Sequence, residues 1–213
     1  MSSCGYDGAV PDRPFHHGNL RAVLLDQAEE VLRERGIDAL SLRELARAAG
    51  VSHGAPRSHF IDRNALLDAL AERGFVRLAD EVRQAASQAP ENYAAVLHAA
   101  GAAYLAFALR EPALHDLMFA AKAGAPSQAV SAAAERLFAT LAGVMSAGVE
   151  AGAYDARDVG RLTLLLGTTI QGISAFIASR RITTPQGEAL LDDAITLFIA
   201  GASALAIPPA PTQ

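Results

Sequence analysis

The chain has 213 residues, of which 51% are hydrophobic, 6% aromatic and 47 alanine, with no Trp. That length buries a core without a disulfide or metal staple, and an alanine-rich, aromatic-poor composition favours packed helices over a β-sandwich. The formal net charge of -5, with 17 of the 18 basic residues Arg, excludes a surface that binds polyanions everywhere but leaves room for a local basic patch.

Residues 1–14 carry Gly, Pro, Ser and Asp without hydrophobic periodicity and read as a disordered arm. The single cysteine, Cys4, lies there, which excludes a disulfide framework and a Cys-based zinc site and fits a reducing cytosol. No charged stretch followed by an apolar run marks a secretion signal, so a cytoplasmic location is expected. Leu20, Val23, Leu24, Val31 and Leu32 have the spacing of an amphipathic helix, which Gly36 stops after Arg33 and Arg35. Ser41 and Glu44 form an S-x-x-E pattern, so a capping box is expected to open a second helix that closes at Gly50. Ser52 caps a third, equally short helix through His59. Asp62 then caps a long helix over 63–86, with Leu67, Leu70, Ala71, Gly74, Leu78 and Val82 turned inward.

Beyond Pro90 the chain becomes more apolar. Tyr93, Val96, Leu97, Ala100, Tyr104 and Phe107 share one helical face, and Pro112 restarts the chain for a short helix ending near Lys122. A break at 124–126 leads into a helix over 127–151. Asp155 and Asp158 open another to Arg181, Thr184-Pro185 opens the last to about Ala206, and 208–213 form a Pro-rich tail. The expected fold is all-α, with about nine helices, no strand and no repeat. A three-helix head over 15–62 would join a larger body over 63–207 for effector binding and dimerisation, the helix over 63–86 connecting them. Residues 162–179 carry no formal charge and reach the length of a membrane span, but their Gly, Thr, Gln and Ser content suits burial between protein surfaces instead.

The most informative stretch runs from Leu40 to Phe60. Two short helices joined by a Gly-containing turn can cross steeply when their inner surfaces are compact, here Leu42, Leu45, Ala46, Ala49 and Val51. This is a helix-turn-helix. The second of the pair is expected to expose His53, Gly54, Ala55, Arg57, Ser58 and His59 and to turn Pro56 and Phe60 inward, as a reader of the major groove requires. Between Ser41 and Arg63 four Arg (43, 47, 57 and 63) face Glu44 and Asp62, a local net charge of +2 in an acidic chain.

With these residues in place, the segment from Asn19 to about Glu81 resembles the amino-terminal head of the TetR family of transcriptional regulators. The cap, the turn Gly, the His59-Phe60 dipeptide and the Asp62-x-x-x-Leu66-Leu67 opening of the long helix all fall in register. His16-His17-Gly18-Asn19-Leu20-Arg21, Tyr104-Leu-Ala-Phe107-Ala108 and the run from Pro112 to Phe119 resemble one branch of that family. That branch carries W-x-x-H-G in its penultimate long helix; this chain has Thr168-Thr169-Ile170-Gln171-Gly172 there.

The resemblance implies a cytoplasmic, all-helical homodimer that binds a double-stranded palindromic operator and is released by a small-molecule effector, with no membrane association. By the same resemblance Ser41 and Arg43 would lie at the operator, Arg43 reaching a base or phosphate. His53, Gly54, Ala55 and Ser58 would lie along base edges, and Arg57, His59 and Arg63 would grip phosphates. Position 57 is Tyr in the family pattern; an Arg there either replaces the phenol at a phosphate or pairs with guanine.

Candidate pocket residues are Tyr93, Leu97, Tyr104, Phe107, His115, Met118, Phe119, Thr168 and Gln171, an apolar set with a few polar handles. The absence of a Lys or Arg cluster among them favours a neutral or weakly polar, hydrophobic effector. His16-His17 lack the ligand pattern of a metal site, no cofactor is implied, and no nucleophile–base constellation marks an enzyme. Asp155, Asp158, Asp192 and Asp193 are read as caps and solvated faces. The helices over 162–177 and 190–205 are expected to pair with their symmetry mates, small residues at Gly167, Gly172, Ala175 and Ala178 permitting close approach. The competing reading is a helical ligand-binding protein or enzyme whose short-helix pair is merely structural; an activator is the alternative within the family.

Overall fold

Leu24, Leu25, Ala28 and Leu32 recur at helical spacing and are all buried, so the first helix, α1 (Leu20–Arg35), lays one stripe against the core. It stops at Gly36, whose φ of 78° suits a residue without Cβ. The structure, a computed structural model, describes residues 20–52 and 54–202. The expected arm over 1–14, His16-His17, His53, the end of the last helix beyond Ala202 and the tail over 208–213 lie outside the described residues.

A 3-10 turn (Ile37–Ala39) leads to α2 (Leu42–Ala48), which closes through Gly50 at φ 67°. Leu45, Ala46 and Ala49 are buried beneath it, with Leu42 and Val51 half-buried, as the steep crossing of a helix-turn-helix requires. Two local expectations fail here. Ser41 occupies the N-cap in extended geometry but makes no side-chain cap bond. Glu44 is instead drawn to guanidiniums, Arg35 at 3.2 Å and Arg47 at 3.9 Å, so the capping box does not form. The third short element is not an α-helix but a 3-10 turn (Ala55–Ser58): Pro56 has no N–H to give, and only the Phe60 N–H to Pro56 carbonyl bond, 2.8 Å, is of the i to i−4 kind.

Asp62 accepts from the Ala65 N–H at 2.8 Å and opens α3 (Arg63–Gln88), about 39 Å long at 1.5 Å per residue. Its inward face adds Leu66, Ala69 and Phe75 to the predicted Leu70, Ala71, Gly74, Leu78 and Val82, and Leu67 is half-buried at its edge. Helices α4 (Tyr93–Arg110), α5 (Pro112–Ala123) and α6 (Gln128–Glu150) pack around it. Gly74 lets α5 approach: a Cβ there would meet Met118 Sδ at 2.5 Å.

Helices α7 (Val159–Ala178) and α8 (Thr184–Gly201) pair with each other and cover α4. Helix α7 ends three residues earlier than the sequence suggests, through Arg180 in the left-handed region at φ 58°. Neither Asp155 nor Asp158 caps by its side chain; Asp158 is buried and pairs with Arg161 at 3.1 Å. Thr183 and Gln186 do form a reciprocal capping box at the start of α8. Eight α-helices, three 3-10 turns and no strand make up the described residues. The counted ninth helix is the 3-10 turn of the head. Helix α4 and the segment Ala156–Ala178 are long and apolar enough to cross a membrane by length and composition, and both pack within this bundle.

Candidate nucleic-acid interface and effector cavity

Pro56 and Phe60 anchor the 3-10 turn of the head in the core, which fixes the side chains between and beside them outward. Gly54, Arg57, Ser58 and His59 are exposed, Ala55 is half-buried, and a Cβ at Gly54 would meet nothing within 4 Å, so the backbone can approach a partner surface closely. On α2, Arg43 is exposed beside the half-buried Ser41. Neither Arg43 nor Arg57 has an ion pair or hydrogen bond among the described residues, whereas Arg35, Arg47 and Arg73 all face carboxylates. Arg63 differs. Its guanidinium donates to the Leu40 carbonyl at 3.0 Å and to the Ile37 carbonyl at 2.6 Å, tying the start of α3 to the α1–α2 connection. Arg21 on α1 stacks over the Phe60 ring, 5.4 Å from its centroid.

In the body, His115, Phe119 and Lys122 of α5, four and then three residues apart, line an open groove whose other side is α7. Two adjoining spaces lie along that groove. One, about 180 Å³, is lined by Tyr104, Phe119, Lys122, Phe138, Thr168 and Gln171 among others. The second, about 280 Å³, shares Phe119 and Gln171 and continues past His115 and Asp116 to Ala175 and Ala178. A tighter apolar cleft with Leu97, Leu141 and Ile170 meets the first at Tyr104 and Gly167. Gln171 Nε2 donates to the Tyr104 hydroxyl at 3.2 Å, and burial pushes that phenol up to about 12, so it stays protonated near neutrality. Burial lowers the His115 pKa, favouring neutral imidazole, and its buried Nε2 has no hydrogen-bond partner.

Tyr93, Phe107 and Met118, also expected at the pocket, sit elsewhere. The Tyr93 hydroxyl is 2.6 Å from that of Tyr154, Phe107 is fully buried with Arg77 and Arg110 against its ring, and Met118 fills the space above Gly74. They belong to the same helical stripe, but tertiary packing divides the stripe between core and cavity.

Between head and groove lies a network of charges. Glu111, at the junction of α4 and α5, receives two donors from Arg33 of α1 at 3.1–3.2 Å and faces Arg77 of α3 at 3.6 Å. Glu29 of α1 pairs with Arg73 at 3.2 Å and Arg77 at 3.0 Å. Both carboxylates are buried, each with more than one guanidinium in reach, as a charge away from water needs.

Comparison with known proteins accounts for both halves of this architecture. The family profile described as bacterial regulatory proteins, tetR family, matches residues 24–70, and that described as tetracyclin repressor-like, C-terminal domain, matches 97–198. The chain belongs to the TetR family. A TetR-family protein is a DNA-binding transcriptional regulator and not an enzyme. Among solved structures, a Rhodococcus sp. RHA1 protein of unknown function is 38% identical, with a TM-score of 0.82 over 89% of this chain and 98% of that one. The TetR family transcriptional regulator PfmR from Thermus thermophilus is 18% identical, with a TM-score of 0.61 over 83% and 97%. A bacterial regulatory protein of the tetR family from Rhodococcus RHA1 is 17% identical, with a TM-score of 0.66 over 87% and 98%. The latter two share the fold. No curated protein matches the sequence.

For this TetR-family chain, Leu97, Tyr104, His115, Phe119, Thr168 and Gln171 line the three spaces. Reasoning from sequence passed over Lys122 and Phe138, whose ammonium and ring lie 3.6 Å apart at the groove. The signal was present: Lys122 is the only Lys in the chain and follows His115 by two helical turns. The expectation of an effector site without a basic side chain therefore does not describe this groove. The Glu29 and Glu111 network was also missed, because partners that distant in sequence leave no local pattern.

Proposed function

We propose that this TetR-family regulator is a cytoplasmic repressor that binds a palindromic operator as a homodimer and lets go when a small molecule enters the body. The carrying observation is the pair of exposed, unpartnered guanidiniums of Arg43 and Arg57 flanking the helix-turn-helix surface, where the neighbouring Arg35 and Arg47 are matched to Glu44 and Arg63 to backbone carbonyls. Arg43 and Arg57 supply attraction for phosphate or a guanine edge. Gly54, Ala55 and Ser58 lie along base edges, as would His53, and Ser41 and His59 flank them. Arg63 serves first as the strut that holds α3 to the head.

The dimer reading rests on an unpartnered apolar face. Leu165 and Phe176 of α7 and Leu190 and Leu197 of α8 are exposed, and Gly172 between the first two is small. Two copies pairing through this face form a four-helix contact and set two heads a duplex turn apart, about 34–36 Å, or a multiple of it. In this division of labour residues 15–62 form the head and 63–207 the body, joined by α3. An effector between α5 and α7 displaces α5, and the Glu111–Arg33 contact carries that displacement to α1. A ligand that favours the displaced state weakens operator binding by its differential affinity alone.

A gel-shift assay with the DNA upstream of its own gene tests the binding, which is expected to be salt-sensitive and sequence-preferring. A reporter on the same DNA tests the sign: deletion of the regulator raises output for a repressor and lowers it for an activator.

A further inference from the structure

We propose that the effector is a slender apolar monocarboxylate, held by its anionic end at Lys122 with its hydrocarbon along the α5–α7 groove. This rests on the reading of the groove as the effector site and names the chemistry that site takes. Lys122 is the only lysine of the chain, and it lines a space whose apolar walls include Phe119, Phe138 and Leu164 and whose polar groups include Tyr104, Thr168 and Gln171. Its ammonium sits 3.6 Å from the Phe138 ring centroid with no carboxylate in ion-pair range among the described residues, unlike the arginines of the Glu29 and Glu111 network. Lys122 is exposed at the edge of that space, so the cation is placed over the ring, open to a ligand and not neutralised, and an incoming carboxylate gains a charge-assisted hydrogen bond there.

The neighbouring donors agree in sign. The Tyr104 hydroxyl accepts from Gln171, which leaves its own proton free to be donated into the same space. Burial lowers the Lys122 pKa, and an anion beside it reverses that cost. Orientation follows from the far end. Asp116 stands there, and a second carboxylate would repel the ligand's anionic end, while Ala108, Pro112, Ala175 and Ala178 offer apolar walls. His115 and Lys122 are seven residues apart, about 10 Å of helix, so the groove takes an extended chain rather than a compact ring system.

The test uses the full-length protein with octanoate, decanoate and their neutral counterparts octan-1-ol and decan-1-ol, all below micelle-forming concentration. Thermal shift reads binding and fluorescence anisotropy on operator DNA reads release. At least one acid is expected to bind about ten-fold or more tightly than its alcohol. Lys122→Met, which keeps the apolar stem, equalises acid and alcohol, and Lys122→Arg restores the preference. The proposal is overturned if neither acid binds, if the alcohols bind as well as the acids, or if Lys122→Met keeps the preference. Failure of the repressor reading shows separately, as absent operator binding by the ligand-free protein while thermal shift still reports on the groove.

Discussion

Arg57 and Arg63 lie close in sequence, yet their guanidiniums do different things. Arg57 projects from the 3-10 turn with nothing to hold, whereas Arg63 spends its donors on the carbonyls of Ile37 and Leu40. Arg57→Ala is therefore expected to weaken operator binding by about 1–3 kcal/mol while leaving the melting temperature unchanged, read by anisotropy and by thermal denaturation. Arg63→Ala is expected to cost about 1–2 kcal/mol of stability, because it removes donors from two acceptors that fix the head; urea unfolding measures it. Both residues looked alike in sequence, since charge and exposure can be anticipated from pattern but the choice between phosphate and backbone carbonyl depends on what tertiary structure places within reach. Ser41 and Glu44 show the same limit. A correct local motif was outcompeted by Arg35, a partner supplied by the preceding helix.

At the scale of elements, many helix boundaries follow punctuation read from the chain: Gly36, Gly50 and Asp62 close or open helices where their capping chemistry predicts, whereas Asp155 and Asp158 do not cap by their side chains. The short element after the turn departs from this because Pro56 removes a donor in a segment too brief to compensate. The pocket was half legible. Helical periodicity identified the apolar stripe on α4 and α5, but whether Phe107 or Phe119 faces a cavity is decided by which neighbouring helix leaves room. The junction of α4 and α5 has its own test. Glu111→Gln keeps the shape of the side chain but removes the charge that holds Arg33 and Arg77, and is expected to cost about 1–3 kcal/mol. It is also expected to shrink the ratio of operator affinities without and with effector, because the α5–α1 contact is loosened; titrations in both conditions check this.

For the whole molecule, function depends on two heads held at one spacing. Leu197 is 72% exposed on α8, so a charge there leaves the protomer's core intact while opposing burial against a second copy. Leu197→Glu is expected to yield a folded monomer by light scattering, with an unchanged helical circular dichroism spectrum and much weaker operator binding. The all-helical class was legible because composition and period agree along the chain. Pairing of the helices over 162–177 and 190–205 with their symmetry mates was anticipated from an uncharged run with small residues, but that Leu165 and Phe176 are the side chains of α7 left outward depends on how the bundle packs. The most direct test of the central claim is the salt dependence of binding to a palindromic fragment from upstream of the gene, measured by anisotropy. Engagement of Arg43 and Arg57 from both heads predicts a dimeric complex whose log–log salt slope is steeper than about −3, at about −0.9 per phosphate neutralised. A slope near zero, or equal affinity for that fragment and for unrelated DNA, would contradict it.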